Sequence, residues 1–504
     1  MRHVALLLLL WMSLTAAAAD GVVRTGCRRG NPTAAARQLR QLQRVAPRRT
    51  SEDGNSFLRG TRRQLVVMAA FQDKAFLEDE TSTLQLWDRI FNEADLYEDP
   101  FVGSVHDYFY DQSYGALDLV FDVVYVKLPG TLSKYHSTAE DDENSQFMVN
   151  DIVDQLETYN FDWSAYDWND DGYVNQLLIV YAGKGQNSGG GSNTIWPHQW
   201  WLSAHINPET QEPCQPRTVS YGGEDYVIDC YCAVQELEYD GSYGMFGTIC
   251  HEYSHCFGLP DFYYGKTSFP YAWDLMDSGN YNGDGFCPAG YSAHERWVMG
   301  WMELTELTEA ATVTGMAALG DEPQAYLIRN DGYANEYYVV ENRQPTRWDA
   351  CLPGKGLVVF HVDYDPDLWV STEVWTNTTE HQHYVVIPAN GLPSKNYSSG
   401  WAYPTETNDA LNDEGDPQAT LWHFNVDGSL MMGKPLTDMA VTEGLASFDF
   451  MGGVTAVDVS RAGGSTSCVY YDLQGRQVQQ PRAGQFCVVR DGQGHVKKVY
   501  GHAK

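Results

Sequence analysis

The chain of 504 residues is poor in positive charge: 33 Lys and Arg stand against 67 Asp and Glu, a net charge of −34 at neutral pH. Phosphate backbones are held by clustered Lys and Arg, so this balance excludes nucleic acid as a partner of the body of the chain. Beyond the N-terminus the sequence also lacks eighteen uninterrupted apolar residues, which excludes a transmembrane helix in the mature chain. There are ten cysteines; Cys27 stands alone near the N-terminus, and the nine downstream cannot all pair. Cys468 and Cys487 are spaced for a hairpin bridge near the C-terminus. No internal repeat or low-complexity tract interrupts the chain.

What positive charge exists is concentrated at the start. Residues 1–63 hold twelve Lys and Arg against three Asp and Glu, a net of +9, which leaves −43 for the remainder. Arg2 and His3, the apolar run Val4 to Leu14 and the small residues up to Ala19 read as a secretory signal peptide over 1–19. Residues 20–63 read as a basic propeptide that can lie on the acidic body and close its cleft until removed, or as a basic spacer.

The chemistry is concentrated in residues 251–261, His-Glu-Tyr-Ser-His-Cys-Phe-Gly-Leu-Pro-Asp. On a helix His251 and His255 are one turn apart on one face, close enough to share one metal ion. Glu252 then lies beside the metal, placed to take a proton from a zinc-bound water and give it to a leaving amine. Gly258 permits a reversal, Pro260 ends the helix, and Asp261 can return as third ligand. Three protein ligands leave a fourth position open, as catalytic zinc requires. Cys250 and Cys256 flank the histidines but face other directions. The donor set points to zinc-dependent peptide hydrolysis, with hydrolysis of another amide or ester left open.

Fifteen residues on, Trp273-Asp274-Leu275-Met276-Asp277-Ser278-Gly279 holds a methionine in a short polar turn. A thioether there can floor the metal ligands without competing for the ion. This segment resembles the Met-turn of the metzincins. With the zinc motif, it makes the chain similar to the secreted metalloproteases of the immune inhibitor A family, whose third ligand is aspartate. The resemblance extends over roughly 64–450, through Gln64 to Met68, Gly103 to Phe109, Ser113-Tyr114-Gly115, Ile195-Trp196-Pro197-His198, Glu341-Asn342-Arg343, Leu352 to Leu357 and Gly415-Asp416-Pro417. It implies His251, His255 and Asp261 as zinc ligands, Glu252 as catalytic base and Met276 as the Met-turn residue. Many metzincins carry a tyrosine two residues after that methionine; here the position is Ser278, and Tyr281 is the nearest tyrosine able to serve the oxyanion. His198 is a candidate for lining the substrate cleft, or a packed core histidine.

Asp167-Trp168-Asn169-Asp170-Asp171-Gly172-Tyr173-Val174-Asn175 places oxygens at alternate positions, like half of an EF-hand loop. Asp167, Asn169, Asp171, the Tyr173 carbonyl and Asn175 are thus candidate calcium ligands, although Leu178 occupies the position of the usual bidentate glutamate. An Asp-Gly turn before a strand is the other reading.

Periodicity sets the architecture. Runs such as Leu117 to Val126 and Val174 to Tyr181 alternate with helical patterns at Phe147 to Leu156 and Met245 to Phe257, giving a metzincin-like mixed α/β catalytic domain over 64–300. Short strands at Glu336 to Glu341, Gly356 to His361 and His383 to Ile387 give a β-sandwich-like domain over 301–452. Residues 453–504 read as a small β tail resembling the sorting domains of type IX secretion, which implies a secretion machinery as partner. The expected protein is α+β: a secreted zinc endopeptidase acting on proteins or peptides, made as a zymogen. The competing class is a calcium-dependent surface adhesin or glycan-binding protein with a vestigial zinc site.

Overall fold

Leu65 to Phe71 is apolar without a break, a pattern a strand sustains only when both its faces are covered. In the computed structural model these residues lie in the middle of a sheet. The structure describes residues 56–136, 144–207, 210, 212–264, 267–369 and 375–453, with four short strands between 469 and 500. The expected signal peptide, most of the basic leader, Cys27 and Cys468 lie outside these residues. The chain divides into two units, 1–453 and 454–504.

The first sheet is built from β1 (Gly60–Ala70), β2 (Leu117–Lys127), β3 (Leu177–Lys184), β4 (His198–Trp201) and, after the hairpin β5 (Arg217–Tyr221) and β6 (Glu224–Ile228), β7 (Cys230–Leu237). Its order is β2-β1-β3-β7-β4, parallel except for β4, which runs against β7. Val67 lies opposite Val124 of β2 and Ile179 of β3, so the apolar centre of β1 is covered by strands on either side. The edge strand β2 alternates between buried and half-buried positions instead. β1 begins at Gly60, so the boundary expected between leader and body at residue 63 falls inside it. Arg63 bonds Asp122 of β2 from that first stretch.

Parallel strands need crossovers, and three helices supply them. α1 (Glu80–Asn92) starts where Asp79 accepts from the Ser82 amide and buries Thr83, Trp87, Ile90 and Phe91, one face at helical spacing. α2 (Val105–Gln112) opens on a capping box between Ser104 and Asp107, and α3 (Ser145–Leu156) leads to β3. α4 (Phe246–Ser254) follows β7, and α5 (Ala293–Val298) closes this part of the chain.

Past residue 300 come β8 (Thr305–Glu306), β9 (Ala311–Met316), β10 (Tyr326–Arg329), β11 (Glu336–Arg343), β12 (Gly356–Asp363), β13 (Tyr384–Val386), β14 (Leu436–Thr442) and β15 (Leu445–Phe450). They form a five-stranded sheet, β13-β12-β11-β10-β8, and a three-stranded one, β14-β15-β9. Alternation along the five-stranded sheet decides what it packs against. Leu327, Tyr337, Val339, Val358 and Phe360 join the core of the first sheet. Their neighbours Ile328, Tyr338, Val340, Leu357 and Val359 join a second core with Val313, Leu436, Phe448 and Phe450. The boundary expected at residue 300 therefore separates stretches of chain but not cores: one face of this sheet joins the core of the first sheet, and the other makes the sandwich-like packing.

A buried ion network ties the halves together. Arg343 of β11 donates to Glu341 at 2.9 Å, to both oxygens of Asp349 at 2.7 and 2.6 Å and to the Gly290 carbonyl, while Glu341 accepts from the Ala293 amide at the start of α5. In the second unit β16 (Val469–Tyr471), β17 (Gln477–Val478), β18 (Phe486–Arg490) and β19 (Val496–Tyr500) form an antiparallel sheet in the order β17-β16-β18-β19. Cys214, Cys230, Cys232, Cys250, Cys256, Cys287 and Cys351 are free thiols.

Removing Arg343 strands two buried carboxylates, which costs about 3–5 kcal/mol. Arg343→Met is expected to lose that much in urea unfolding, in contrast with a near-neutral exposed substitution such as Lys127→Gln.

Candidate active site

α4 is buried along its whole length. It passes through a 3-10 turn at His255–Phe257 and ends at Gly258, whose φ of +94° lets the chain reverse. Asp261 is thereby brought back onto the histidines. Its Oδ1 lies 3.2 Å from His251 Nε2 and 3.3 Å from His255 Nε2, and all three side chains are buried. Glu252 Oε2 lies 3.9 Å from His255 Nε2. The expected quartet is thus assembled in one place.

The orientation of the two rings is set from behind. His251 Nδ1 lies 2.8 Å from the Leu275 carbonyl and His255 Nδ1 2.8 Å from the Leu259 carbonyl. A carbonyl can only accept, so each Nδ1 carries a proton, and Nε2 is the atom that each ring turns towards Asp261. Burial disfavours a charged His251, but hydrogen bonding to Asp261, with Glu252 nearby, more than offsets it and raises its pKa to about 9. Burial likewise opposes the Asp261 charge, yet His255 and His251 together hold its carboxyl well below the usual range. Burial pushes Glu252 up.

These residues fit a divalent transition metal. Two imidazole nitrogens and a carboxylate oxygen form a borderline donor set that suits zinc. His255 Nε2 and Glu252 Oε2 are buried with no hydrogen-bond partner in the structure, an arrangement that is costly unless something else satisfies them.

Met276 is fully buried, in a turn stitched to the ligand segment. The Leu275 carbonyl takes the His251 bond, and the Met276 carbonyl accepts from Phe262, the residue after Asp261. Two carboxylates fold the turn: Asp274 accepts from the Met276 amide, and Asp277 from the amides of Phe269 and Tyr271. Burial lifts the Asp274 pKa to about 7.

In front of His251 and Glu252 lies an open cavity of about 290 Å³, bounded also by Trp196, Pro197, Thr248, Tyr263, Asn280 and Tyr281. Tyr281 is 54% exposed and shares this cavity with Glu252. His198 does not line it. That ring is fully buried on β4, with Nδ1 2.6 Å from the Trp196 carbonyl and Nε2 2.9 Å from the Tyr231 hydroxyl. The cleft wall comes instead from Trp196 and Pro197, which precede the strand, while the Trp196 carbonyl and the Tyr231 hydroxyl hold the histidine ring inside.

The 167–175 segment is a self-capped turn. Asp167 accepts from the amides of Asp171 and Gly172, Asp171 from Tyr173, and Asn175 from Trp168, while Asp170 and Gly172 take positive φ. Asp167, Asp171 and Asn175 bond amides of the loop itself, and the described groups of His, Cys, Asp and Glu placed to hold a metal do not include this segment. Calcium finds no support here.

Other contributors were not signalled by sequence. The Tyr384 hydroxyl of β13 bonds both Asp274 Oδ2 and Ser292 Oγ, and its ring stacks on Phe262 at 3.9 Å. Asn377 donates to the Phe262 carbonyl at 2.7 Å.

Residues 70–300 match the family model described as the immune inhibitor A peptidase M6 catalytic domain. Over 152 residues the chain is 30% identical to immune inhibitor A of Bacillus thuringiensis subsp. alesti, covering 28% of this chain and 21% of that protein. Over 177 residues it is 29% identical to the pre-pro-metalloprotease PrtV of Vibrio cholerae serotype O1 strain M66-2, covering 30% and 18%. The matched segment thus spans about a fifth of the length of these relatives. The crystal structure of wild-type OgpA from Akkermansia muciniphila aligns with 56% of this chain and 71% of that one at 13% identity and a TM-score of 0.26, too low for an argument from fold.

Glycines allow the cavity wall to approach the helix. A Cβ on Gly247 would stand 1.9 Å from the Asn280 carbonyl oxygen. Gly247→Ala must therefore displace the segment carrying Asn280 and Tyr281, at a cost of about 1–3 kcal/mol. The expected outcome is a lowered melting temperature together with weakened substrate turnover; an unchanged protein on both counts contradicts this packing.

Proposed function

We propose that this chain is a zinc-dependent endopeptidase, exported and made with a basic leader that covers its cleft. The observation that carries the reading is the convergence of His251 Nε2 and His255 Nε2 on Asp261 Oδ1, with Glu252 opening onto the same cavity. The similarity of residues 70–300 to the immune inhibitor A peptidase M6 catalytic domain supports it, as does the relative named a pre-pro-metalloprotease. The same likeness favours the zinc-ligand roles of His251, His255 and Asp261 and the Met-turn role of Met276. Among the described residues no helix is long and apolar enough to cross a membrane, in keeping with export. The β tail supports the sorting role inferred from its sequence, with a secretion machinery as partner.

A bound zinc ion would supply Lewis acidity at the scissile carbonyl and lower the pKa of water at its open position. The rest is done by the chain. Glu252 Oε2 accepts the proton of the attacking water and delivers it to the departing amine. Nδ1 of each histidine keeps its proton on a backbone carbonyl, so neither ring swings out of line. Tyr281 donates its phenolic proton to the carbonyl oxygen as charge builds there. The cavity accepts an extended peptide between Trp196 and Tyr281.

Two variants test these roles. Glu252→Gln should fold, retain zinc and lose about 10²–10⁴-fold in hydrolysis of a casein substrate; full activity rules the mechanism out. Tyr281→Phe should lower kcat by about 10²–10³-fold with KM little changed. An effect on KM alone assigns the phenol to binding.

A further inference from the structure

The described residues contain a second group of metal-type donors, away from α4: Asp363, His381 and His383, with ligand atoms within 4.8 Å of one another. We infer that Asp363, His381 and His383, joined by His423, form a second zinc site that pins the hairpin bearing Asn377 and Tyr384 to the end of β12.

Strand geometry makes the site. β12 and β13 are antiparallel with Val362 opposite Tyr384, so Asp363 and His383 face each other across the next pair, joined by the Asp363 amide and the His383 carbonyl at 2.8 Å. His381 is two residues from His383 and returns to the same side. Its Nε2 lies 2.8 Å from Asp363 Oδ2, and His383 Nδ1 lies 3.5 Å from the same oxygen. The two rings stack at 3.8 Å. From a distant loop His423 Nε2 reaches 3.1 and 3.2 Å from the two oxygens of Asp363.

Three imidazoles surround one carboxylate, a set of nitrogen and oxygen donors drawn from β12, the segment before β13 and a loop. Burial, and then the neighbouring His383, holds His381 below the usual imidazole value. Asp363 is 3% exposed, whereas the histidines remain reachable from solvent, His381 at 33% and His423 at 40%, which leaves an ion a way in. A further layer fixes the donors. Glu336 accepts from the amides of Trp422 and His423 and from His361 Nε2, and the Asp363 carbonyl takes the proton of His383 Nδ1, so this ring offers Nε2 to an ion. One carboxylate and three imidazoles make four donors, the closed set of a structural ion, in contrast with three donors and a vacancy at α4.

The site explains how the hairpin is held against the first centre. Asn377 bonds the Phe262 carbonyl, and Trp375 packs on Tyr263 at 5.5 Å, one and two residues beyond Asp261. An ion on His381 and His383 fixes the turn between Thr378 and His381 from which Asn377 reaches out.

Zinc content decides. Chelator-stripped full-length protein, dialysed against Zn²⁺ and then metal-free buffer, should retain two ions per chain. His251→Ala/His255→Ala should keep one, and Asp363→Asn or His381→Ala/His383→Ala should also keep one. If α4 held no metal, a single ion would survive the first variant; if the second site were absent, the single ion would vanish in that variant and persist in the others, overturning the inference. Carbethoxylation of the unaltered protein checks this without mutation: Zn²⁺ should protect His381, His383 and His423 from modification as mapped by mass spectrometry. Equal modification with and without Zn²⁺ overturns it.

Discussion

Two backbone carbonyls, those of Leu275 and Leu259, hold the protons of His251 and His255 on the far side of their rings, and the remaining geometry depends on this. With Nδ1 committed, each Nε2 has only one direction in which to act, and Asp261 occupies it. A buried carboxylate facing two buried imidazoles is unfavourable to assemble unless its charge is used. The local sequence supplies the means: a helix that ends at a glycine able to take φ of +94°, a proline that prevents its continuation, and an aspartate three residues past that glycine. The Met276 turn then brings Leu275 to the ring it must orient.

The second half of the chain is part of the same machinery. β11 and β12 put alternate residues into two different cores, so the sheet past residue 300 is a wall of the catalytic half as well as one layer of a sandwich. Tyr384 reaches Asp274, Trp273 donates to the Ser398 carbonyl, and Arg343 bonds the Gly290 carbonyl. Each of these contacts fixes the Met-turn or the segment leading into α5. A fragment ending at residue 300 would expose the apolar face that β10 to β12 cover.

What could be read from the sequence followed from the range of the interactions. His251, Glu252, His255 and Asp261 fall within eleven residues, and helical spacing with one glycine brings them together; Met276 carries its turn in its neighbours. Strands β1, β2, β11 and β12 were legible because burial on one or both faces imprints a period on the residues. His198 was ambiguous because the group that holds its ring inside, the Tyr231 hydroxyl of β7, lies 33 residues away. Residues 167–175 carry an oxygen pattern that serves calcium or an Asx turn equally, and the amide partners of Asp167 fit both. Tyr384, Asn377 and the Asp363 cluster were hidden for another reason: their partners are between about twenty and more than a hundred residues away, and His-Gln-His at 381–383 gains meaning only when β13 is laid against β12.

The central claim is that His251, His255 and Asp261 share one ion. Anomalous diffraction at the zinc edge from crystals of the zinc-loaded chain tests it most directly. The account predicts a peak about 2.0–2.2 Å from both Nε2 atoms and from a carboxylate oxygen of Asp261, with Glu252 beside it and not bonded to it. No peak there, or a peak held by the histidines with Asp261 turned away, would contradict it.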